Sequence, residues 1–120
     1  MTVFEQAFWL VALHFAADYH LQSDFVATSK VPGTGAIWPW VMTAHAALHG
    51  LFVALVLGPW LGLAEFVTHW LIDLAKSRGW LGTGSNGFVI DQSLHLVLKG
   101  VWIAAAPFMA GTGLLSSIGF

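Results

Sequence analysis

A chain of 120 residues has room for one domain at most, and this one is 58% hydrophobic and only 8% charged. A soluble domain carries about 25% charged residues, so with a mean hydropathy of +0.77 lipid is the expected solvent. A net charge of −2 with four basic residues leaves no patch for nucleic acid. The absence of cysteine removes disulfides and thiolate ligands together, so any metal must be held by imidazole and carboxylate.

The first residues, Met1-Thr2-Val3-Phe4-Glu5, lack the basic run that opens a signal peptide and are expected to be retained. From Val3 to about Ser29 no Gly or Pro interrupts, which predicts one helix over 3–29, apolar first and more polar toward its end. Val31 to Gly35 is a turn cluster that stops it. A second helix is expected over 38–57, with Pro39 tolerated in the first turn. Its roughly 20 residues match a hydrocarbon thickness of about 30 Å. Gly58-Pro59 ends it. A third helix is expected over 62–78, a polar turn over 82–87, and a fourth helix over 88–106 capped by Asn86. Pro107 then kinks or stops the chain, and 107–120 is an apolar tail with no assigned structure. Trp38, Trp40, Trp60 and Trp80 fall near the expected helix ends, as in aromatic belts at membrane interfaces.

Short connections make an all-α, up-down-up-down four-helix bundle the expected architecture, a single transmembrane domain over 1–120. Lys30, Lys76 and Arg78 lie in or beside the two loops at one end, and the other end carries no Lys or Arg. The positive-inside rule then places the first end at the cytoplasmic face of a bacterial inner membrane, with both termini outside.

Every one of the six His and four Asp belongs to a pair spaced by four: His14/Asp18, His20/Asp24, His45/His49, His69/Asp73 and Asp91/His95. Ten such residues scattered at random would give roughly one such pair. A single pair is usually no more than a helix-stabilising contact between neighbours on one face. Inside a bilayer, however, ionisable groups are costly and usually face a functional interior. Four of the pairs also lie late, early, late and early in successive helices, so an antiparallel bundle gathers them at one depth, roughly 10 Å inside one face.

At about 100° per residue, Asp18 and Gln22 continue the face of His14, whereas His20 and Asp24 point away by about 80–120°. Glu65, His69, Asp73 and Lys76 form one stripe; Asp91, His95 and Lys99 form another, with Gln92 beside them. The expected metal ligands are therefore His14, Asp18, His45, His49, His69, Asp73, Asp91 and His95. Eight exceed the three or four protein ligands of one zinc ion. Either two ions share them, or one ion is surrounded by a hydrogen-bonded outer His/Asp set. Zinc suits these donors best, and iron or manganese also fit. Lys76 suits a side chain snorkelling to the interface. Lys99, set deeper, suits binding an anionic group or balancing the carboxylates. Asp91 is also a first-turn acid favoured by the helix dipole.

The set His14-Phe-Ala-Ala-Asp18 with Gln22, His45 through His49-Gly50, His69-Trp-Leu-Ile-Asp73 with Lys76, and Asp91-Gln92-Ser-Leu-His95 resembles a family of small bacterial and phage integral membrane proteins of unknown function. A looser similarity links it to membrane-bound metal-dependent hydrolases, which also set His and Asp on hydrophobic helices. That likeness implies hydrolysis of a lipid-borne ester or phosphoester. In this reading Asp18, Asp73 or Asp91 acts as base with Lys99 as a catalytic cation, and Lys76, Gln22 and Gln92 bind the substrate. The alternatives are a metal-ion or proton transporter or sensor, or a membrane scaffold whose metal only staples the helices. The expected partners are the lipid bilayer and a lipid-like substrate, with self-association into an oligomer left open.

Overall fold

The computed structural model describes residues 1–109 and 111–119, and every regular element among them is helical. In chain order these are α1 (Val3–Phe15), a π-helical turn (Ala16–His20), α2 (Asp24–Ser29), α3 (Trp38–Leu57), α4 (Pro59–Ser77), α5 (Gly84–Ala105), a 3-10 turn (Ala106–Phe108) and α6 (Leu114–Ser117). Thr2 and Glu5 start α1 with a reciprocal capping box: Thr2 Oγ1 accepts from the Glu5 amide at 3.2 Å, and Glu5 Oε2 accepts from the Thr2 amide at 2.6 Å.

The single helix expected over 3–29 is broken. At Ala16 the backbone loosens to i→i+5 bonding, which closes with the Leu21 amide donating to the Ala16 carbonyl at 2.9 Å. Ser23 then caps α2 through the Val26 amide at 3.2 Å. No Gly or Pro marks the break. A π-turn inserts an extra residue into the helix and re-aims its side chains, which is why such turns recur at functional sites.

The second helix has the expected range, 38–57. The third begins three residues earlier than expected, because Pro59 occupies its first turn. Gly58 alone joins α3 to α4 at φ +107°, a conformation that glycine adopts without steric cost. The fourth begins at Gly84 rather than Phe88, preceded by Thr83 rather than capped by Asn86. Of the unassigned tail, Ala106–Phe108 makes the 3-10 turn and α6 packs back against α3.

Helix α1 packs against α3 and α5, and α4 packs against the same two. The α3–α4 crossing is the tightest. A Cβ on Gly62 would meet the Gly50 carbonyl oxygen at 2.6 Å, and one on Gly50 would meet the Gly62 carbonyl oxygen at 2.7 Å. Small residues at such a crossing let two backbones approach closely, the dominant source of helix association in lipid. Gly62→Leu should therefore lower the thermal unfolding midpoint in detergent, with an overpacking cost of about 1–3 kcal/mol or more. Gly100, exposed and with nothing near its would-be Cβ, is the matched control: Gly100→Leu should melt like the wild type. Equal midpoints for the two variants would remove the crossing from the list of stabilising contacts.

The interior is divided. At one end Leu10, Val53, Val56, Leu57 and Leu61 form an apolar cluster. Toward the other end the buried side chains are His14, His45, His49, Glu65, His69, Asp73, Asp91, His95 and Lys99, each at most 6% exposed. Phe4, Phe8, Leu51, Leu63, Val67, Leu71, Val97 and Val101 lie on the outside. Polarity is inverted relative to a water-soluble domain. Helix α3 and the helical run over 84–108 are each long and apolar enough to cross a membrane.

Candidate metal centre

The four-residue spacing places each pair on one helix face, and packing turns those faces inward. His14 comes from the last turn of α1, Asp18 from the π-turn, His45 and His49 from α3, His69 and Asp73 from α4, and Asp91 and His95 from α5. The last turn of α1 and the second half of α4 thus meet the middles of α3 and α5.

The imidazoles form the centre. The His69 ring lies between those of His49 and His95, at centroid distances of 3.6 and 4.1 Å and tilts of 21° and 23°. His45 stands edge-on to His49 at 4.8 Å, and His14 lies 5.1 and 5.4 Å from His49 and His95.

Each aspartate joins this centre to a support, and Oδ2 of Asp18 and of Asp73 also lies 3.4 and 3.7 Å from Nε2 of His14 and of His45. Asp18 Oδ1 lies 3.0 Å from His49 Nε2 and 3.4 Å from His45 Nε2, while its Oδ2 accepts from the Gln92 amide at 3.0 Å. Asp73 Oδ1 lies 3.4 Å from His95 Nε2 and 3.7 Å from His69 Nε2, and its Oδ2 accepts from Lys30 Nζ at 2.8 Å. Asp91 Oδ1 lies 3.3 Å from His95 Nε2, and its Oδ2 accepts from Lys76 Nζ and from the Gln92 amide, both at 3.1 Å. Beneath them Glu65 Oε1 lies 3.3 Å from His69 Nδ1 and accepts from Lys99 Nζ, while Oε2 accepts from Trp102 Nε1 at 2.7 Å.

These distances test the fit of a cation. Nε2 of His45, His69 and His95 and Oδ1 of Asp91 are buried and make no well-aligned hydrogen bond, meeting one another or a carboxylate oxygen only at 3.3–3.7 Å. Buried polar atoms are nearly always paired, and leaving one unpaired costs about 1–3 kcal/mol. All four are ligand atoms for a divalent ion. They fall within three overlapping donor groups, Asp18/His45/His49/His69, Glu65/His69/His95 and Asp73/Asp91/His95, whose donor atoms lie within 4.8 Å of one another. Outer partners that hold a ligand's second atom, as Lys30, Lys76, Gln92 and Glu65 do here, are typical of metal sites.

Seven of the eight expected ligands fall in these donor groups, and His14 stands beside them with its ring against His49 and His95. His20 and Asp24, which share the spacing, are exposed and lie outside the cluster, His20 at the end of the π-turn and Asp24 in the separate helix α2. Gln92 bridges Asp18 and Asp91 and also accepts from Tyr19 at 3.4 Å. Gln22 faces the cleft above the cluster, and its amide reaches only the Asp18 carbonyl at 3.5 Å. Lys76 is half-exposed and paired with Asp91. Lys99 is 3% exposed and bound to Glu65, so it balances a carboxylate and does not reach the imidazole centre.

Three participants fall outside the expected set. Glu65 carries a sequence signal, sitting four residues before His69 on the same stripe. Lys30 and Trp102 carry none: Lys30 follows a helix break that the sequence does not announce, and Trp102 reads as one more apolar residue.

The architecture and site define an all-α protein whose apolar exterior encloses a histidine–carboxylate cluster. By its match over residues 7–114 the chain belongs to the family described as "Protein of unknown function (DUF3307)". No curated protein and no solved structure matches the chain.

Proposed function

We propose that this chain is an integral membrane protein, an up-down-up-down four-helix bundle. In this reading it holds one or two divalent transition-metal ions and hydrolyses a lipid-borne ester or phosphoester. The observation that carries the metal reading is the set of unpartnered inward-facing atoms, His45, His69 and His95 Nε2 with Asp91 Oδ1. Zinc is the favoured ion, with iron or manganese suited to the same donors. The inverted polarity supports lipid as the solvent. The basic residues Lys30, Lys76 and Arg78 support placing the cluster's end at the cytoplasmic face of a bacterial inner membrane, with both termini outside.

Bound in such a site, a divalent ion polarises an ester or phosphoryl oxygen and brings the pKa of a coordinated water near neutrality. The chain's own residues supply the remainder. Hydrolysis adds water across the ester bond, and the proton that water gives up needs a nearby base. Asp18, Asp73 and Asp91 all border the cleft, and Asp18 alone of the three has no ammonium on it. Asp18 is therefore the preferred base. A small polar cleft of about 70 Å³, bordered by all three aspartates, opens the cluster to one end.

A transit site for metal or protons finds less support. Beyond Glu65, Lys99 and Trp102 the buried side chains among the described residues are the apolar cluster of Leu10, Val53, Val56, Leu57 and Leu61. Elemental analysis of detergent-purified protein tests the site: stoichiometric transition metal is expected in the wild type and much less in His45→Ala. A protein without metal would sink the reading. Metal without turnover of any lipid ester or phosphoester would remove the hydrolase and leave the site, and a melting temperature that then fell on chelation would indicate a structural staple.

A further inference from the structure

The cluster holds four carboxylates, Asp18, Glu65, Asp73 and Asp91, and three of them carry an ammonium: Lys30 on Asp73, Lys76 on Asp91 and Lys99 on Glu65. With neutral imidazoles the group carries a net charge of −1. If the cluster is the metal centre proposed above, on which this inference rests, one divalent ion leaves it at +1 and two leave it at +3. Excess charge in a low-dielectric interior is expensive, and the three lysines that hold these carboxylates add to it once metal is bound. The surplus calls for an anion.

The same lysines show where that anion sits. Lys30 and Lys76 both line the cleft above the cluster, together with the Tyr19 hydroxyl. Lys30 Nζ lies on the Asp73 oxygen turned away from His95, and Lys76 Nζ on the Asp91 oxygen turned away from His95. Each ammonium thus stands between a ligand carboxylate and the opening. Lysine is a compact point charge with three donors, able to keep its carboxylate and add a second acceptor. The side chain of Lys76 is 41% exposed and that of Lys30 is 16% exposed, so both reach the cleft. Tyr19 makes only a long bond to Gln92, at 3.4 Å, which leaves its hydroxyl free to turn.

We propose that this cleft is an oxyanion site for a phosphate group, with Lys30, Lys76 and Tyr19 as its donors, and that the substrate class is a phosphoester. A carboxylic ester is neutral and would leave the metal-loaded charge uncompensated. A phosphate brings one or two negative charges and several acceptor oxygens to a position flanked by two ammoniums. The phosphate can belong to a lipid headgroup or be free in solution.

The test uses full-length protein in detergent, loaded with Zn²⁺ and checked for metal content by elemental analysis. Inorganic phosphate is titrated by calorimetry, and vesicles of phosphatidylcholine with and without phosphatidic acid are presented to the reconstituted protein. Phosphate should bind the metal-loaded form at least tenfold more tightly than the metal-free form. Lys30→Gln and Lys76→Gln, loaded to a metal content matched to the wild type by elemental analysis, should each weaken it tenfold or more, and Lys30→Arg should restore part of the loss. Binding of phosphatidic acid but not of inorganic phosphate assigns the site to a headgroup; binding of both assigns it to phosphate as such. Full metal content with neither probe bound, or glutamine variants that bind like the wild type, overturns the oxyanion site and leaves the metal centre standing. Failure to take up metal overturns the centre itself, and this inference with it.

Discussion

His69→Ala should empty the centre, whereas His20→Ala should leave it full. Both residues precede an aspartate by four positions, so spacing alone treats them alike. The structure separates them. His69 is fully buried, stacked between His49 and His95, and belongs to two of the three donor groups. His20 is exposed at the end of the π-turn. Loss of an outer partner already costs a metal site about 10–100-fold in affinity, and loss of a ligand shared between groups should cost more. Elemental analysis of the two purified variants reads the difference directly. Equal metal in both would mean that the stacked imidazoles are a structural core.

The second large effect concerns Glu65 and Lys99. Both are buried, their side chains bonded to each other, with Trp102 and His69 completing the carboxylate's surroundings. Glu65→Leu leaves the Lys99 ammonium without its counter-charge, and removing one partner of a buried pair typically costs about 3–5 kcal/mol. The double variant Glu65→Leu/Lys99→Leu removes both charges and should recover most of that loss, since replacing a whole buried pair by apolar side chains is often neutral. Thermal unfolding of the two single variants and the double one forms the cycle. A double variant as unstable as the singles would show that the pair is held by something other than mutual compensation. The double variant also frees His69 Nδ1 from its acceptor, so metal affinity should fall by about 10–100-fold even where stability returns.

Much of this was legible in the sequence, for identifiable reasons. The range of α3 follows from strong punctuation, Pro39 at its start and Gly58-Pro59 at its end. The convergence of four pairs follows from their alternating late and early positions, which needs only short connections to become a cluster. The break after Phe15 was not legible: residues 16–23 contain neither Gly nor Pro, and a π-turn arises from how the backbone meets its neighbours. That one miss explains another. Lys30 reaches Asp73 because α2 is a separate short helix; a continuous helix to Ser29 would have carried it past the end of the bundle. Lys99 was placed correctly in depth, but its partner could not be read, because Glu65 sits 34 positions away in sequence and no local rule joins them.

The apolar cluster of Leu10, Val53, Val56, Leu57 and Leu61 has a consequence beyond packing. If the chain spans a membrane and holds metal as proposed above, the voltage falls mainly across the apolar layer, and this cluster lies on one side of the candidate centre. An ion entering from the cleft then crosses little of the field, which would otherwise act at about 2.3 kcal/mol per charge per 100 mV. Occupancy of the centre should follow the ion composition of a single compartment and ignore the membrane potential.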